Sequence, residues 1–554
     1  MKKIIYSLII ATFIFGNSCE TSIHDMPVDY YDIDDVMSDS IYVIGLVNDM
    51  YAALPDGYNR LDGNSMIAST TDEAVASGNY TEAEFMATGA WSASSPRDDA
   101  WSSSYAAIRK TNIFLNDLHP QVPEGLFVSD RTIELLLGQT YFLRAFFYFE
   151  LVKRYGGVPI ITEVLEIGEG AGMERDSYED CIQFIVDECD NAAAILPDIW
   201  QSNATNFGRA TKGAALALKS RTLLYAASPL FNDPLNSEST VEHGAYDAGK
   251  WQDAAQAAYD VINLNTYQLF NDYEGFFTTL SGNDEIIFSK MTSRNNDVER
   301  LNGPTGFTDG MGGSCPSLDL VDAYKMSDGS LFDWDNPVHA ENPFQDREPR
   351  FYASVLYNGA SWMGSTIETF QGGKDLGNVN STKTGFYLKK FMSEDAQWFG
   401  GSSGATYHCF PHIRYAEILL NFAEAMNEAY GPETEESFGM SALSAVNEVR
   451  NRVQLPPLPT GLTQEEMRAI IQEERRIELA FEEHRHLDLR RWKLAGTVLG
   501  QPVNGLKITA INDSTFTYEP KVAQSRVFRP EMNLYPLPQS EINRNSSLQQ
   551  NAGW

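Results

Sequence analysis

Two adjacent acidic pairs near the C-terminal end of the sequence are the first residues whose types could do chemistry. They occupy 473–474 and 482–483. Glycoside hydrolysis uses two carboxylates roughly 5–10 Å apart across a sugar cleft. These glutamates, however, lie on a predicted helix dense with Arg475, Arg476 and Arg485. Ion pairing accounts for such a helix more simply, so the pairs predict a structural role, and a glycan-degrading hydrolase stays open as an alternative.

Other catalytic and ligand-binding motifs fail on spacing. The "HRH" at 484–486 places two histidines two residues apart, which directs them to different faces of a helix. The "GEGAG" at 168–172 lacks the spacing of a dinucleotide loop, and no lysine follows Gly213 as a phosphate-binding loop requires. No C-x-x-C pair occurs. The sequence therefore predicts no catalytic residue, no metal-binding motif and no cofactor, and it does not decide whether a structural metal ion is bound.

The charge of the chain limits its partners. The formal net charge is −35 at pH 7, and an acidic chain repels the phosphates of nucleic acid. Aromatic residues make up 12% of the sequence, a content typical of surfaces that stack on flat ligands or partners. These features disfavour a nucleic-acid-binding protein and direct the search to smaller ligands.

The first 18 residues are typical of an export signal. Lys2 and Lys3 precede an apolar run over 4–15, which is too short to span a membrane, since a span needs roughly 20 residues. Cys19 follows at the position of the lipidated cysteine of a bacterial lipoprotein, although Gly16 stands where an aliphatic residue is usual. We expect a lipid on Cys19 and an acidic tether over 19–40; ordinary secretion is the alternative.

Helical patterns dominate 41–280 and predict the N-terminal part of a scaffold. Apolar residues recur at three and four positions over 131–154, and "RYGGVP" then predicts a helix end at Gly156. The segments 176–196 and 248–264 give two further helices. Successive helices joined by turns predict stacked helical hairpins of tetratricopeptide type, although no clean 34-residue repeat is visible.

The helical pattern stops over 281–410, which we predict to be an irregular, loop-rich lobe. Short strand-like runs, separated by loops rich in glycine and asparagine, occupy 285–290, 351–357 and 385–391. Long loops in a compact protein are usually functional. The predicted fold is therefore mainly α, a helical-hairpin scaffold carrying a lobe with short β-strands.

Helices return over 411–500, the predicted C-terminal part of the scaffold. They are expected over 412–430, 439–453 and 463–486, the last beginning with a capping box at Thr463. The segment 501–554 contains several prolines and is predicted to be loop-rich.

The stretch 208–232, "GRATKGAALALKSRTLLYAASPLFN", predicts a helix that packs closely between other helices. Its alanines allow neighbouring helices to approach closely, and Pro229 ends it. Lys212, Lys219 and Arg221 exclude a membrane span.

Four segments of the sequence resemble the SusD/RagB family of surface glycan-binding lipoproteins of Bacteroidetes. The 208–232 helix is similar to one family signature, and "ERRIELAFEEHRHLDLRRW" at 474–492 to a second. "LYPLPQSEINRNSSLQQNAGW" at 534–554 resembles the C-terminal signature, with Leu537 and Ala552 as mild departures, and "LVDAYKMSDG" at 320–329 also matches.

This resemblance implies a tetratricopeptide-like scaffold with a variable lobe. It further implies a non-enzymatic lipoprotein, exposed on the outer membrane through Cys19. Such a protein captures oligosaccharides for import through a SusC-like, TonB-dependent transporter. A peptide or other nutrient as cargo, and a scaffold without a sugar site, remain alternatives.

Candidate glycan-binding residues follow from what sugars demand. Apolar sugar faces lie on aromatic rings, and hydroxyls pair with planar polar groups. We expect one wall of the site in the loops of 69–101, whose candidates are Asp72, Asn79, Tyr80, Trp91 and Arg97. Trp101 and Tyr105 are predicted to be core. The second wall is expected in the variable lobe, with the candidates Arg294, Asn295, Phe307, Trp362 and Trp398.

Overall fold

The computed structural model describes residues 36, 39–127, 129–166, 168–200, 206–233, 246–280, 282–399, 404–512 and 514–554. The predicted signal at 1–18, the lipidation site Cys19 and most of the 19–40 tether lie outside the described residues.

The described chain is mainly helical, with strands only in short pairs. The helices are α1 Ser40–Ala52, α2 Glu82–Ala87, α3 Trp101–Asn112, α4 Asp130–Tyr155, α5 Tyr178–Ile195, α6 Lys212–Ala227, α7 Gly249–Ile262, α8 Tyr273–Phe276, α9 Asp297–Asn302, α10 Leu318–Ala323, α11 Pro337–Glu341, α12 Pro349–Ser354, α13 Tyr415–Tyr430, α14 Ala442–Arg452, α15 Gln464–Glu478, α16 His484–Arg491, α17 Ala495–Val498 and α18 Gln539–Arg544. The strands are β1 Ala74–Ala76, β2 Ile286–Met291, β3 Ser314–Pro316, β4 Val355–Leu356, β5 Ser361–Trp362, β6 Ser365–Thr366, β7 Tyr387–Leu388, β8 Cys409–Arg414, β9 Val503–Asn512 and β10 Thr515–Gln524.

The long helices form one continuous scaffold. Each packs on the next: α4 on α5, α5 on α6, α6 on α7, α7 on α13, and α13 on both α14 and α15. Their buried apolar faces share a single core that runs from α1 to the C-terminal segment. The mainly helical fold class predicted from sequence is confirmed.

Local sequence signals set the ends of these helices. Ser129 caps α4, and the chain leaves that helix at Gly156 with a φ of 76°, a conformation that favours glycine. Thr211 caps α6 by accepting a hydrogen bond from the Ala214 amide. The predicted capping box is present in α15, between Thr463 and Glu466.

The helix α6 has the packing role expected of it. Its alanines are buried, which lets α5 and α7 approach on either side. Arg221 is buried too, and its guanidinium forms two hydrogen bonds of 2.6 and 2.7 Å with the Glu417 carboxylate of α13. A buried cation paired in this way ties two scaffold helices together.

A second apolar core lies under the loop-rich lobe. It gathers residues from 273–410, and also from 58–74, 453–481 and 506–508. Every strand pair is antiparallel and two-stranded: β1 with β3, β2 with β8, β4 with β7, β5 with β6, and β9 with β10. The lobe boundaries at 281 and 410 stay a prediction, since this core draws on neighbouring segments.

Three local predictions were wrong. Most of the run 351–357 belongs to the helix α12, whose first residue is Pro349. The two-residue strand β4 follows this helix. The predicted helix 463–486 breaks after Glu478, where Phe481 and Glu483 adopt left-handed backbone conformations. The segment 501–554 contains the ten-residue strands β9 and β10. Leu506 and Ile508 of β9 are buried in the second core.

The acidic pairs of α15 and the following turn are structural, as predicted. Glu474 pairs with Arg350, and Glu482 pairs with Arg414 at 2.6 Å and with Lys390 at 2.7 Å. All five side chains are buried. The carboxylates therefore stabilise the junction between the scaffold and the lobe; Glu482 and Glu483 line only a cavity of about 30 Å³ there, which is too small for a sugar ring.

Candidate functional site

The short β1–β3 pair joins two loops that are distant in sequence. Val75 pairs with Cys315, so the loop that follows β1 meets the loop that precedes β3. The Ser77 amide donates to the Gly313 carbonyl at 2.9 Å, and its hydroxyl donates to the Met311 carbonyl at 3.1 Å. Residues 77–82 and 303–312 therefore form adjacent parts of one surface.

A third loop completes this surface. A Cβ atom at Gly312 would lie 2.3 Å from the carbonyl oxygen of Asn380 and 3.0 Å from Ser77 Oγ, so only glycine allows the three loops to meet here. Lys383 Nζ donates to the Gly78 carbonyl at 2.9 Å. We call residues 77–82, 303–312 and 374–383 the three-loop surface.

The three-loop surface contains a cavity of about 470 Å³, which we call the loop pocket. Its walls are 305–310 and 378–380. The Asn378 side-chain amide donates to the Thr305 carbonyl at 2.6 Å and joins these walls, whereas Thr308 and Asp309 are exposed. The pocket is thus bounded by short polar side chains and backbone groups, which are suited to hydrogen bonding with hydroxyl groups.

Aromatic rings support one wall of the loop pocket. Phe307, only 8% exposed, packs with ring-centroid distances of 6.2 Å to Trp398 and 5.0 Å to Phe399. Trp398 is half-buried, and its indole Nε1 donates to the Thr308 carbonyl at 2.9 Å. Its ring also lies against Gly303, where a Cβ atom would approach it to 2.5 Å. We call Phe307, Trp398 and Phe399 the aromatic wall.

Tyr80 is the prominent exposed ring on this surface. Its side chain is 82% exposed, and its backbone φ is 59°, an uncommon conformation for a bulky residue. The Tyr80 amide is held by a hydrogen bond to the Glu84 carboxylate. Asn79 beside it is also exposed. A strained backbone held in place by its neighbours is a feature that clusters at functional sites.

Trp91 and Trp362 were predicted to bind glycan, but both are core residues, so these two predictions were wrong. Trp91 is 4% exposed and packs against Tyr535 and Trp554, at ring-centroid distances of 5.2 and 4.7 Å. Trp362 is 1% exposed within the second core. Neither ring offers a free face to a ligand, because other parts of the protein cover both. Trp101 and Tyr105 pack together at 5.1 Å, Trp101 being buried and Tyr105 half-buried.

Asp72 is engaged in ion pairs within the protein. Its carboxylate lies 2.8 Å from Arg476 and 2.9 Å from Arg485. Burial alone would raise the pKa of Asp72, but the two guanidinium groups hold it well below its usual range. Arg97 lies with its guanidinium 4.6 Å from the centre of the Phe85 ring. Both residues support the structure around the first wall, and neither is brought to the loop pocket.

Arg294 and Asn295 lie at the border of the three-loop surface. Arg294 Nε donates to the Ala405 carbonyl at 2.6 Å, and Asn295 forms an isolated β-bridge with Thr406. Gly404 nearby packs against the backbone of Gln397, next to the aromatic wall. Of the ten candidates, Phe307 lines the loop pocket and Trp398 packs on it, while Asn79 and Tyr80 lie in the adjoining 77–82 loop and Arg294 and Asn295 lie at the border.

The sequence-based reasoning missed the polar lining of the loop pocket. Asn378, Asn380 and Thr308 line it, and Val379 between the two asparagines is 91% exposed. The glycine- and asparagine-rich loops of the lobe include 371–381, but none of its residues is among the predicted candidates. An exposed "GNVN" turn inside such a loop was the available signal.

A second cavity, of about 490 Å³, lies between α3, the 159–173 segment and the C-terminal segment around α18; we call it the helical groove. Its lining is largely apolar, and three of the polar side chains around it donate to backbone carbonyls of the protein. The Tyr105 hydroxyl donates to Pro159 at 2.8 Å, and the side-chain amides of Asn112 and Asn545 donate to Ile161 and Met173 at 2.9 and 2.7 Å. The helical groove therefore presents few free hydrogen-bonding groups to a polar ligand.

The described residues also limit other classes of site. Among them, no group of three or more histidine, cysteine or acidic side chains is arranged to hold a metal ion. None of the described helices is long and apolar enough to cross a membrane. The pair His484 and His486 is buried in α16; His486 contacts the hydroxyls of Thr70 and Tyr535 at 2.6 and 2.8 Å, a structural role as predicted.

Comparison with protein families gives matches over most of the chain. A model described as the SusD family matches residues 282–554. A second model, described as starch-binding associating with outer membrane, matches residues 29–224.

Individual relatives agree with these models. The chain is 27% identical to SusD-like protein P2 of Formosa agariphila over 470 residues, which cover 81% of this chain and 79% of the relative. The crystal structure of a SusD-like protein from Bacteroides fragilis superposes with a TM-score of 0.79 at 29% identity, covering 96% of this chain and all of the other. A SusD-like carbohydrate-binding protein from the same species gives a TM-score of 0.77 at 25% identity, covering 93% and 100%.

Proposed function

This chain belongs to the SusD/RagB family, and we propose on that premise that it is a cell-surface lipoprotein that captures oligosaccharides. The family is one of SusD-like carbohydrate-binding proteins, and one solved relative is described as carbohydrate-binding. The family also indicates an association with the outer membrane. In this proposal a lipid on Cys19 anchors the protein, and a SusC-like, TonB-dependent transporter receives the captured glycan.

The observation that carries the proposal is the exposed Tyr80 ring on the same surface as the polar loop pocket. Sugars present apolar C–H faces to aromatic rings and hydroxyls to polar groups. Tyr80 supplies such a ring, and Thr308, Asp309 and Asn380 supply polar groups in the neighbouring loops. The helical groove lacks this combination, because its lining is largely apolar and its rings, Trp101 and Tyr105, are buried and half-buried.

The size of the loop pocket also supports an oligosaccharide rather than a polymer surface. A volume of about 470 Å³ lies in the range of small-molecule sites, about 300–1,000 Å³. The pocket can therefore hold about one or two sugar rings, while Tyr80 beside it provides a platform for the next ring. The overall charge of −35 favours neutral glycans over strongly acidic ones.

Binding without cleavage is the test that separates this proposal from a hydrolase. The purified protein is titrated with a panel of neutral oligosaccharides by calorimetry, and the sugars are recovered and analysed by chromatography. We expect saturable binding of at least one oligosaccharide and its recovery intact. Release of shorter products would contradict the proposal and favour a hydrolase, and binding of peptides in place of sugars would replace the proposed cargo.

The lipid anchor has a separate test. The full chain and its Cys19→Ser variant are expressed in a bacterium that processes lipoproteins, and the membrane and soluble fractions are compared. We expect the variant to leave the membrane fraction, because the thioether-linked lipid needs the cysteine sulfur. If the variant stays in the membrane and is processed normally, Cys19 is not the anchor. Capture of the transporter by the anchored protein tests the partner.

A further inference from the structure

Glu299 is a buried carboxylate directly beneath the three-loop surface. It lies in α9 and is fully buried. Its Oε1 atom accepts a hydrogen bond from the Ser393 amide at 2.9 Å and lies 2.8 Å from His408 Nε2. Among the described residues, no lysine or arginine forms an ion pair with it, in contrast to the carboxylates at the scaffold junction.

The two contacts of Glu299 join three parts of the chain. The helix α9 leads directly into the loop that begins at Gly303 and contains Phe307. Ser393 lies five residues before Trp398, in the segment that carries the rest of the aromatic wall. His408 immediately precedes β8, which pairs with β2 beside the scaffold. One carboxylate oxygen therefore holds both halves of the aromatic wall against a rigid strand.

The surroundings of Glu299 exclude a direct role with a ligand. Its side chain has no solvent-accessible surface, and the His408 ring beside it is also buried. The Tyr58 ring packs edge-on against His408 at 6.1 Å and closes the site from the scaffold side. At the other end of α9, the side-chain amides of Asn302 and Asn59 bond to each other at 2.8 and 3.1 Å. The helix α9 is thus held at its C-terminal end by Asn302, and the Glu299 side chain in its middle holds it to the segment that carries Trp398.

We infer that Glu299 is a positioning residue for the glycan site. It fixes the segment of Trp398 relative to the loop of Phe307, so that the aromatic wall and the loop pocket keep one geometry before a ligand arrives. This inference rests on the proposed function for its consequence on glycan affinity. A buried hydrogen bond to a carboxylate is strong enough to order a loop, and a site ordered in advance loses less conformational entropy when it binds.

The test compares two substitutions of Glu299 with one matched control. Glu299→Ala removes the acceptor, while Glu299→Gln keeps a side-chain oxygen for the Ser393 amide. Glu188→Ala removes another buried carboxylate, which pairs with Arg144 at 2.7 and 2.9 Å within the scaffold. The readouts are hydrogen exchange at the Ser393 amide and oligosaccharide affinity, both measured well below the lowest melting temperature of the set.

We expect Glu299→Ala to speed exchange at Ser393 and to weaken glycan binding, each by about tenfold. Glu299→Gln is expected to keep most of both properties. Glu188→Ala is expected to lower the melting temperature while leaving Ser393 exchange and affinity unchanged. Unchanged Ser393 exchange in Glu299→Ala, or equal losses in Glu299→Ala and Glu188→Ala, would overturn the positioning role.

The exchange readout also separates this inference from the proposed function. If the unmodified protein binds no oligosaccharide, the proposed function fails, yet exchange at Ser393 still decides whether Glu299 holds the aromatic wall. If the protein binds glycan but Glu299→Ala leaves affinity unchanged while Ser393 exchanges faster, the positioning inference fails and the proposed function stands.

Discussion

The loop pocket and the helical groove have nearly the same volume, about 470 and 490 Å³. Their walls differ in the polar groups and aromatic rings that are accessible to a ligand. Around the helical groove, the lining is largely apolar, and Tyr105, Asn112 and Asn545 donate to backbone carbonyls. Around the loop pocket, short polar side chains are exposed, and Tyr80 stands 82% exposed beside them. Cavity size therefore does not identify a glycan site; unpaired polar groups next to an exposed ring do.

The same contrast separates the aromatic residues of the two regions. Rings in the scaffold, such as Trp91 and Trp101, are covered by other rings and stabilise the fold. The ring of Tyr80, by contrast, is exposed to solvent. Its backbone has a strained, positive φ and is fixed by the hydrogen bond from its amide to Glu84. A tryptophan in the sequence is thus a poor guide to a sugar platform until its cover is known.

The largest change in stability is expected from Trp91→Ala, which tests whether a covered scaffold ring contributes to folding and not to glycan binding. Removing a buried tryptophan from its contacts with Tyr535 and Trp554 should lower the free energy of unfolding by about 3–5 kcal/mol. Glycan affinity of the folded fraction should not change, because the ring has no free face. Chemical denaturation and calorimetry below the melting temperature check both statements. A loss of affinity with unchanged stability would return Trp91 to the binding site.

A pH dependence is expected from Glu73, which precedes β1 and so supports the three-loop surface. Burial raises the pKa of Glu73 to about 8, and the neighbouring Asp72 carboxylate adds to the shift. The folded state then holds a proton that the unfolded state loses near pH 4.5. Stability is therefore fully present below that pH and is lost as the pH rises to about 8, at up to about 1.4 kcal/mol per pH unit.

Denaturation of the unmodified protein and of Glu73→Gln across pH 5 to 9 measures this effect. The variant should lose the alkaline decline, since its amide cannot ionise. Burial lowers the pKa values of His412 and His484 to about 3 and about 4, so these residues reduce stability only as the pH falls below about 6.5. An identical alkaline decline in both proteins would show that Glu73 is not its cause.

The smallest effect, and one confined to binding, is expected from Tyr80→Ala. Loss of one stacking ring should weaken oligosaccharide affinity by about tenfold, or ~1.4 kcal/mol. Stability should change by no more than about 0.5 kcal/mol, because the side chain is exposed. Tyr246, 45% exposed near α7, is the matched control. Equal affinities for Tyr80→Ala, Tyr246→Ala and the unmodified protein would remove Tyr80 from the site.

Helices were readable from the sequence because their signals are local. The α4 helix runs within one residue of the predicted 131–154, since its apolar spacing and Gly156 lie in the same short stretch. The α6 helix follows Thr211 for the same reason. Where two helices are separated by residues in a left-handed conformation, as at Phe481, apolar spacing continues through the break and conceals it.

The candidate site depended on contacts that no local pattern contains. Trp91 is covered by Tyr535 and Trp554, more than 440 residues away in the chain, so its loop-like setting was misleading. The three-loop surface forms only because the β1–β3 pair brings Ser77 beside Gly312. Tyr80 and Phe307 were identified separately from their residue types, and their shared surface came from this tertiary pairing.

Hydrogen exchange across the whole protein, with and without a bound neutral oligosaccharide, tests the central claim most directly. The ligand should protect the amides of 77–82, 303–312 and 374–383, the loops of the three-loop surface. The helical groove, lined by Trp101 and Tyr105, should exchange as it does without ligand. Protection of the helical groove, with no change in the three loops, would contradict the assignment of the glycan site.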